Sequence, residues 1–445
     1  MRNSAKDKKD SSPTVAFTSL GCFKNLVDTE VLGGLLIRRG WRPVSAYEQA
    51  DWLVINTCGF LRAAKDEAID EVLKALERKE RGEINKIAVF GCLVQRYGQE
   101  LNQLFTGVDL TWGVKDFELL AAVLAGEKQS SYPDRELFLN DHNHQRIIAT
   151  TPNTTFLKIS EGCNLHCSFC TIPAIRGPYR SRSVDSLLQE AAKYRDLGFH
   201  ELNLVSQNST SFGRERSGCS ELPQLLAALS GLGFSWIRVL YLMAEEIDDR
   251  ILEAFDHPGI LPYFDIPLQH VAPPVLQAMN RGGNPESSHR LLERIRAMFP
   301  AAVLRSTFIV GHPGEGEAEF QELLDFTATS AIERIGVFTF SAEEGTPAFD
   351  LAGAAAPELA EARRELLLDQ SDQNLDNFNK KLHGSRQLFL PLGPWDSRHT
   401  VGRIACQAPE VDGLTVIRGA FRDSFQPLEI SISGHQHEIL RGVKT

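Results

Sequence analysis

The chain has 445 residues, which at roughly 150 residues per domain accommodates about three domains, each long enough to bury a core. With 42% hydrophobic, 24% charged and 8% aromatic residues it has the composition of a soluble globular protein, excluding disorder, collagen and coiled coil as descriptions of the whole. A formal net charge of −11 does not favour broad adhesion to nucleic acid, and the most apolar stretch, 231–244, is broken by Arg238 and too short to span a bilayer, so no membrane association is expected.

Residues 1–13 mix Lys, Asp and Ser without an apolar core, so they are read as a frayed tail and not as a signal peptide or anchor, and a cytoplasmic location is expected. Eight cysteines in such a compartment are poor candidates for disulfides, because thiols stay reduced there. Clustered ones read first as metal ligands or redox groups.

From residue 14 to about 113 a βα pattern repeats. The apolar runs 15–17, 52–55 and 87–90 are each followed by helix-like sequence, as in a parallel sheet buried on both faces. After the second run, Ala64, Ala68, Ile69, Val72 and Leu73 form one stripe, with Lys65, Asp66, Glu71 and Lys74 opposite, and Gly82 is placed to end that helix. The polar stretch 127–153, with Pro133 and His142-Asn143-His144, reads as a linker.

From residue 154 to about 341 strands and helices alternate again, with strands expected at 156–159, 201–205, 237–242, 263–266, 303–309 and 335–340. About six such units make a partial (β/α) barrel and not a complete eight-fold one. Residues 357–382 read as one long polar helix. After Gly384 come four short strands, 387–390, 399–404, 414–417 and 428–432, expected to form a small β-barrel. The expected class is thus α/β: a parallel-sheet domain over 14–126, a partial barrel over 150–382 and a small β-barrel over 383–445.

The chemistry falls on two sets of three cysteines. Cys163, Cys167 and Cys170 form a C-x3-C-x2-C loop directly after a strand. Three thiolates so close can wrap one face of a four-iron cluster and leave the fourth iron open. A structural zinc knuckle would want four closed ligands, and His166 beside Cys167 is badly placed to be the fourth. The second set, Cys22, Cys58 and Cys92, lies just past the three apolar runs of the first domain, each cysteine next to a glycine. In a parallel sheet the carboxyl ends share one edge, so these distant residues can converge there. Three unrelated buried cysteines are the duller reading.

C-x3-C-x2-C with Phe169 before its last cysteine resembles the signature of the radical S-adenosylmethionine (SAM) superfamily. Ile172-Pro173 and the stretch Arg176-Gly177-Pro178-Tyr179-Arg180-Ser181-Arg182 resemble its continuation in the methylthiotransferase branch. Two three-cysteine sets in this order, followed by a small barrel of the TRAM type, resemble the radical SAM methylthiotransferases along nearly the whole chain. The resemblance implies two [4Fe-4S] clusters, ligated by Cys22, Cys58 and Cys92 and by Cys163, Cys167 and Cys170. It also implies SAM, a radical that takes hydrogen from an unactivated carbon, a sulfur donor and an external low-potential electron donor.

Two branches of that family compete, one modifying an aspartate of small-subunit ribosomal protein S-twelve and the other an adenosine of tRNA. The stretches Ser19-Leu20-Gly21-Cys22-Phe23-Lys24-Asn25, Tyr263-Phe264-Asp265-Ile266-Pro267-Leu268-Gln269-His270 and Gln407-Ala408-Pro409-Glu410-Val411-Asp412-Gly413 resemble the ribosomal-protein branch, the last most specifically. From His383 onward seven basic residues face six acidic ones, a balance poorly suited to gripping tRNA phosphates. Departures from that branch are Phe23, Leu242-Met243-Ala244, Asn280-Arg281-Gly282-Gly283, His312 and Ala342-Glu343-Glu344-Gly345.

The resemblance also offers cofactor contacts: Gln207 and Asn208 after the second strand, Gly311 and Glu315 after the fifth, and Arg176, which could pair with the SAM carboxylate. Gln269 and His270 are candidates for a pocket. Arg180 and Arg182 are equally readable as loop ion pairs, and Cys219 and Cys406 as bystanders.

Overall fold

A computed structural model describes residues 12–129, 137–421 and 424–444. Most of the expected tail, Pro133 of the expected linker, and Arg422 and Asp423 of the C-terminal charge balance lie outside the described residues. The chain divides into two units, Met1–Ala149 with Ala174–Gly177, and Thr150–Pro173 with Pro178–Thr445.

The first unit runs β1 (Thr14–Ser19), α1 (Phe23–Ile37), β2 (Arg42–Pro43), β3 (Trp52–Thr57), α2 (Arg62–Glu80), β4 (Lys86–Gly91), α3 (Cys92–Leu104), β5 (Leu110–Trp112) and α4 (Phe117–Leu124). All five strands are parallel, in the order β2-β1-β3-β4-β5. The apolar runs are central strands: Leu53, Val54 and Ile55 of β3 and Ile87, Ala88, Val89 and Phe90 of β4 are all buried. At ~1.5–3 kcal/mol per fully buried large side chain, such runs dominate the stability of a sheet covered on both faces. Of the expected stripe on α2 Ala68 and Val72 are buried, joined by Ala75, while Leu73 at its margin is exposed; the helix ends at Arg81 with Gly82 at φ +74°, as the sequence predicts. The very short β2 and β5 escape the sequence pattern. They settle the topology, because the order reverses between β1 and β3 and opens a crevice at their carboxyl ends.

The stretch expected as a linker is, over residues 137–149, a packed strap of this unit. Leu137 bridges to Lys115, and Phe138 stacks on Phe117 with centroids 4.6 Å apart. Arg146 pairs with buried Glu30 of α1, whose carboxylate also accepts the Ala149 N–H at 2.7 Å. Gly34 permits this approach, since a Cβ there would stand 1.8 Å from the Gln145 carbonyl oxygen. Its polar side chains suggested a linker, but what anchors it is the backbone, one aromatic stack and one buried ion pair.

The second unit begins with β6 (Thr154–Lys158), β7 (Ser160–Glu161), α5 (Ile172–Arg176), β8 (Arg180–Ser181), α6 (Val184–Asp196) and β9 (Glu201–Val205), the end of α5 belonging to the first unit. It continues through α7 (Arg214–Ser217), α8 (Leu222–Ser230), β10 (Trp236–Val239), α9 (Asp249–Glu253), β11 (Ile260–Asp265), α10 (Pro273–Ala278), α11 (Pro285–Met298), β12 (Val303–Val310), α12 (Glu317–Thr329), β13 (Arg334–Thr339) and α13 (Pro357–Leu382). The strands β6, β9, β10, β11, β12 and β13 lie side by side in chain order, all parallel, the open sheet of a partial barrel. The third strand stops at Val239, not Leu242. Tyr241 takes φ +62° and its N–H turns to the Asp265 carboxylate at 3.0 Å. Gln269, just past β11, has φ +70°, so two non-glycine residues hold a costly backbone conformation at the carboxyl end of the sheet.

After α13 the chain closes a five-stranded barrel of β14 (Arg386–Pro394), β15 (His399–Ile404), β16 (Thr415–Arg418), β17 (Leu428–Gln436) and β18 (Ile439–Lys444), in the order β14-β15-β16-β18-β17. The sequence pattern gives four of these strands. β18 is missed because Arg441 and Lys444 interrupt its apolar alternation, yet it closes the barrel by pairing parallel to β16 and antiparallel to β17.

Two buried carboxylates join this barrel to the parallel strands. Glu201 pairs with Arg403, and with Arg238 at 3.2 Å. Asp412 accepts from the Tyr263 hydroxyl at 2.6 Å and pairs with Arg305 at 3.0 Å and Arg334 at 3.3 Å. The stretch Gln407–Gly413, the most branch-specific in sequence, is thus architectural. Asp412 also accepts the Ala408 N–H at 2.9 Å, and Gln407 Oε1 accepts from the Ile404 N–H at 3.1 Å and the Thr415 hydroxyl at 2.7 Å.

Candidate functional site

Each unit gathers one cysteine set at the carboxyl edge of its parallel sheet. In the first unit Cys22 caps the N-terminus of α1, Cys58 follows β3, and Cys92 opens α3 directly after β4. Two of the three thiols therefore sit at helix N-termini, whose partial positive charge favours anionic sulfur. A Cβ on Gly21, which has φ +88°, would lie 2.8 Å from Cys58 Cβ, so only glycine lets the first loop meet the second.

Asn25 ties the three loops together. Its Nδ2 donates to the carbonyls of Leu20 at 3.0 Å and Thr57 at 3.3 Å, while its Oδ1 lies 3.6 Å from Cys92 Sγ and 4.0 Å from Cys22 Sγ. Asn56 supports it, donating to the Asn25 carbonyl at 2.7 Å and to the Thr29 hydroxyl at 3.0 Å. Burial raises the Cys58 thiol and pushes Cys92 up to about 12, with the nearby Arg176 guanidinium pulling both the other way.

In the second unit the cysteines share one loop that leaves β7. Neighbouring turns pin it. Ser168 takes a hydrogen bond from the Ala348 N–H on its carbonyl (2.8 Å) and donates its own N–H to Met279 O (2.9 Å) and its hydroxyl to Ala278 O (2.7 Å). Asn280 Nδ2 donates to the His166 carbonyl at 2.8 Å, and the His166 side chain is exposed. Burial raises Cys163 and Cys167 and pushes Cys170 up to about 12. The Arg281 guanidinium charge pulls the Cys167 thiol the other way, and Arg281 is itself held by Glu245 at 2.8 and 3.0 Å. Among the described residues no three His, Cys, Asp or Glu side chains converge on one point as a single-ion site requires.

The other candidates divide sharply. Gln207 donates Nε2 to Glu161 at 2.7 Å, and Glu161 is paired with buried Lys158 at 2.8 Å; the Gln207 Oε1 is buried without a hydrogen-bond partner. Asn208 caps the turn at Ser209–Ser211 and donates to Glu246 at 3.0 Å, so its polar atoms are spent locally. Gly311 gives its N–H to Glu315 at 2.9 Å, and Glu315 pairs with Arg363 of α13 at 2.7 Å. His270 stands 3.3 Å from the same carboxylate, its Nδ1 accepting the Ala272 N–H at 3.0 Å. Gly311 and Glu315 therefore tie the sheet to α13, while the second carboxylate oxygen of Glu315 is buried without a hydrogen-bond partner. Arg182 is likewise buried on Glu190 at 2.6 Å.

Arg176, expected at the SAM carboxylate, is placed by the structure beside the first cysteine set. Its three nitrogens are committed to Cys92, Asp28 and Asn25 within the first unit. Sequence reasoning missed Asn25 and Arg281. Asn25 had a signal, a polar residue three positions after Cys22 on the first turn of a helix. Arg281 was hidden in a stretch notable only for departing from the family pattern.

With this geometry in place, comparison with known proteins defines the class. The profile of the Radical SAM superfamily matches residues 157–327, and that of the Uncharacterized protein family UPF0004 matches 14–113. The solved structure of the radical SAM methyltransferase TsrM from Kitasatospora setae shares the fold, with TM-score 0.54 and 13% identity over 73% of each chain. The protein is a radical SAM enzyme. The ribosomal protein uS12 methylthiotransferase RimO of Syntrophus aciditrophicus is 40% identical over 417 residues, 91% of this chain and 92% of the relative. That of Symbiobacterium thermophilum is 38% identical over 445 residues, 97% and 91% of the two chains. The chain belongs to the RimO family of methylthiotransferases.

Proposed function

We propose that this enzyme replaces a C–H of an aspartate in ribosomal protein S-twelve by C–SCH3, consuming two SAM. The observation that carries the reading is the pair of cysteine triads, one on each parallel sheet edge, in a chain of the RimO family. Residues 14–126 carry the auxiliary cluster, 150–382 the SAM-cleaving cluster and 383–445 the TRAM barrel.

The donor sets fit [4Fe-4S] clusters. Three soft sulfurs per site leave one iron without a protein ligand, and thiols raised by burial give up their protons only to a cationic centre. SAM fits at the Gln207 Oε1, a buried acceptor that lacks a donor and stands beside the strand leading into Cys163. When bound, these groups supply one-electron cleavage of a sulfonium, hydrogen abstraction from an unactivated carbon, and a sulfur atom with its methyl group.

The chain's own residues hold and orient. Glu161, fixed by Lys158, presents Gln207; Ser168 and Asn280 lock the cysteine loop; Asn25 fixes the auxiliary set. Cys92 is buried and Cys170 half-buried, and a reactive radical requires that water be kept from the sites. Electrons come from an external low-potential donor and sulfur from a separate sulfur donor. Among the described residues no helix is long and apolar enough to cross a membrane, in keeping with a cytoplasmic substrate.

The test is mass spectrometry of ribosomal protein S-twelve and of tRNA after anaerobic reaction. The mass of one methylthio group in place of hydrogen, on an aspartate of the protein, is expected. The same increment on tRNA nucleosides with unmodified protein overturns the reading.

A further inference from the structure

The Arg176 side chain is 3% exposed, and its contacts are unusually directed. Nε and Nη2 donate to Cys92 Sγ at 3.2 and 3.0 Å, Nη2 also donates to Asn25 Oδ1 at 2.6 Å, and Nη1 pairs with Asp28 Oδ2 at 2.7 Å. Asp28 is itself buried on α1, one turn beyond Asn25. A permanently charged guanidinium thus lies on one cysteine sulfur, and a buried carboxylate partly neutralises it. A purely structural ion pair would need only the carboxylate. Two of the three guanidinium nitrogens point at sulfur.

We propose that Arg176, balanced by Asp28, is a positioning residue that sets the reduction potential of the auxiliary cluster. This rests on the reading of Cys22, Cys58 and Cys92 as its ligands. Hydrogen bonds and positive charge on a ligating sulfur stabilise the form carrying the extra electron. The step concerned adds one electron from the external donor to the cluster, with no bond made or broken and no proton moved. Removing the cation therefore lowers the potential, and removing Asp28's charge raises it. The opposite signs separate tuning from simple loosening, which would move both variants the same way.

The experiment uses the full chain with Cys163→Ala, Cys167→Ala and Cys170→Ala, so that a single reconstituted cluster remains. It is titrated with dithionite, the reduced signal being followed by electron paramagnetic resonance and iron measured in parallel. On this background Arg176→Met is expected to lower the reduced-to-oxidised ratio at fixed potential at least tenfold, a shift of about 59 mV for one electron. Arg176→Lys should recover part of that shift, and Asp28→Asn should move the ratio the other way. If Arg176→Met sheds its iron, the signs of Arg176→Lys and Asp28→Asn decide the matter. Unchanged ratios, or shifts of one sign in both variants, overturn the proposal. A parent protein that binds no iron removes the ligand assignment itself, a failure distinguishable from the other two.

Discussion

The two cysteine sets reach the same chemical endpoint by opposite routes. Cys163, Cys167 and Cys170 occupy one loop, so chain connectivity brings them near each other before folding, and turns at Ala278–Asn280 and Ala348 only lock the result. Cys22, Cys58 and Cys92 come from three loops and exist as a set only because β1, β3 and β4 are neighbours with their carboxyl ends together. The lesson concerns cooperativity. The local set depends on a few tethers, whereas the distributed set depends on the folding of an entire sheet and on side chains such as Asn25 that span the loops.

The largest test of this contrast is functional. Any one of Cys163→Ala, Cys167→Ala or Cys170→Ala should reduce deoxyadenosine formation to background. Replacing Cys22, Cys58 and Cys92 by Ala should leave SAM cleavage largely intact, eliminate methylthiolated product, and cut iron from about eight to about four atoms per chain. Chromatography of deoxyadenosine and of modified peptide, with iron analysis, reads both. Full product from a variant lacking the distributed set, with no added sulfur source, would make that set merely structural.

On the scaffold side, the local set sits on a sheet whose other end is clamped by Glu201. Desolvation acts to raise this carboxyl group, but Arg403 and Arg238 together prevail and hold it below the usual range. Glu201→Leu leaves two buried guanidinium groups without their carboxylate and should cost ~3–5 kcal/mol, seen as a lower urea midpoint. The pH dependence has a definite sign. A depressed carboxylate contributes stability above the unfolded value near ~4.3 and loses it as pH falls through the folded value, so acid should destabilise the parent more steeply than the variant. Equal acid slopes would mean that Glu201 is not the group responsible.

A smaller effect isolates close approach in the distributed set. Gly21→Ala combines φ +88° with a Cβ 2.8 Å from Cys58 Cβ, whereas Gly40→Ala combines φ +80° with open space. Backbone strain alone costs about 1–2 kcal/mol and applies to both. Only Gly21→Ala should also lose auxiliary iron while keeping SAM cleavage. Thermal melts and iron content on the pair separate strain from crowding.

This asymmetry explains what could be read from the amino acids. The C-x3-C-x2-C loop, the βα alternation and α13 are local patterns, and the structure reproduces them. That Cys22, Cys58 and Cys92 each follow one of three neighbouring parallel strands was also legible, because equivalent positions after such strands imply a shared edge. What stayed hidden was long-range. Arg176 lies six residues after Cys170 in sequence, yet its side chain belongs to Cys92, a partner set by tertiary packing alone. Glu315, read in sequence as a cofactor contact, carries Arg363, 48 residues further on, on one of its carboxylate oxygens. Polar composition likewise disguised residues 137–149 as a linker, because their anchorage is a backbone approach to Gly34, the stack of Phe138 on Phe117 and one buried ion pair.

Arg281 gives the finest test of the comparison, because it is the local set's counterpart of Asn25. Its guanidinium charge acts on the Cys167 thiol and is oriented by the Glu245 carboxylate, so it supports a sulfur without being one of the cysteines. If connectivity already brings Cys163, Cys167 and Cys170 together, losing this support should weaken the site without dismantling it. Arg281→Ala is therefore expected to reduce iron retention at this site, or SAM cleavage, by about 10–100-fold, the usual cost of removing a group that orients a metal ligand. Auxiliary iron should be unchanged. Glu245→Gln, which frees the guanidinium but leaves its charge, should give a smaller loss in the same direction. Competition with an iron chelator, followed by spectroscopy on a protein lacking Cys22, Cys58 and Cys92, measures the effect without interference from the second set. Complete loss of the cluster in Arg281→Ala would show that the contiguous loop needs tertiary support as much as the distributed set does, and the contrast between the two routes would fall.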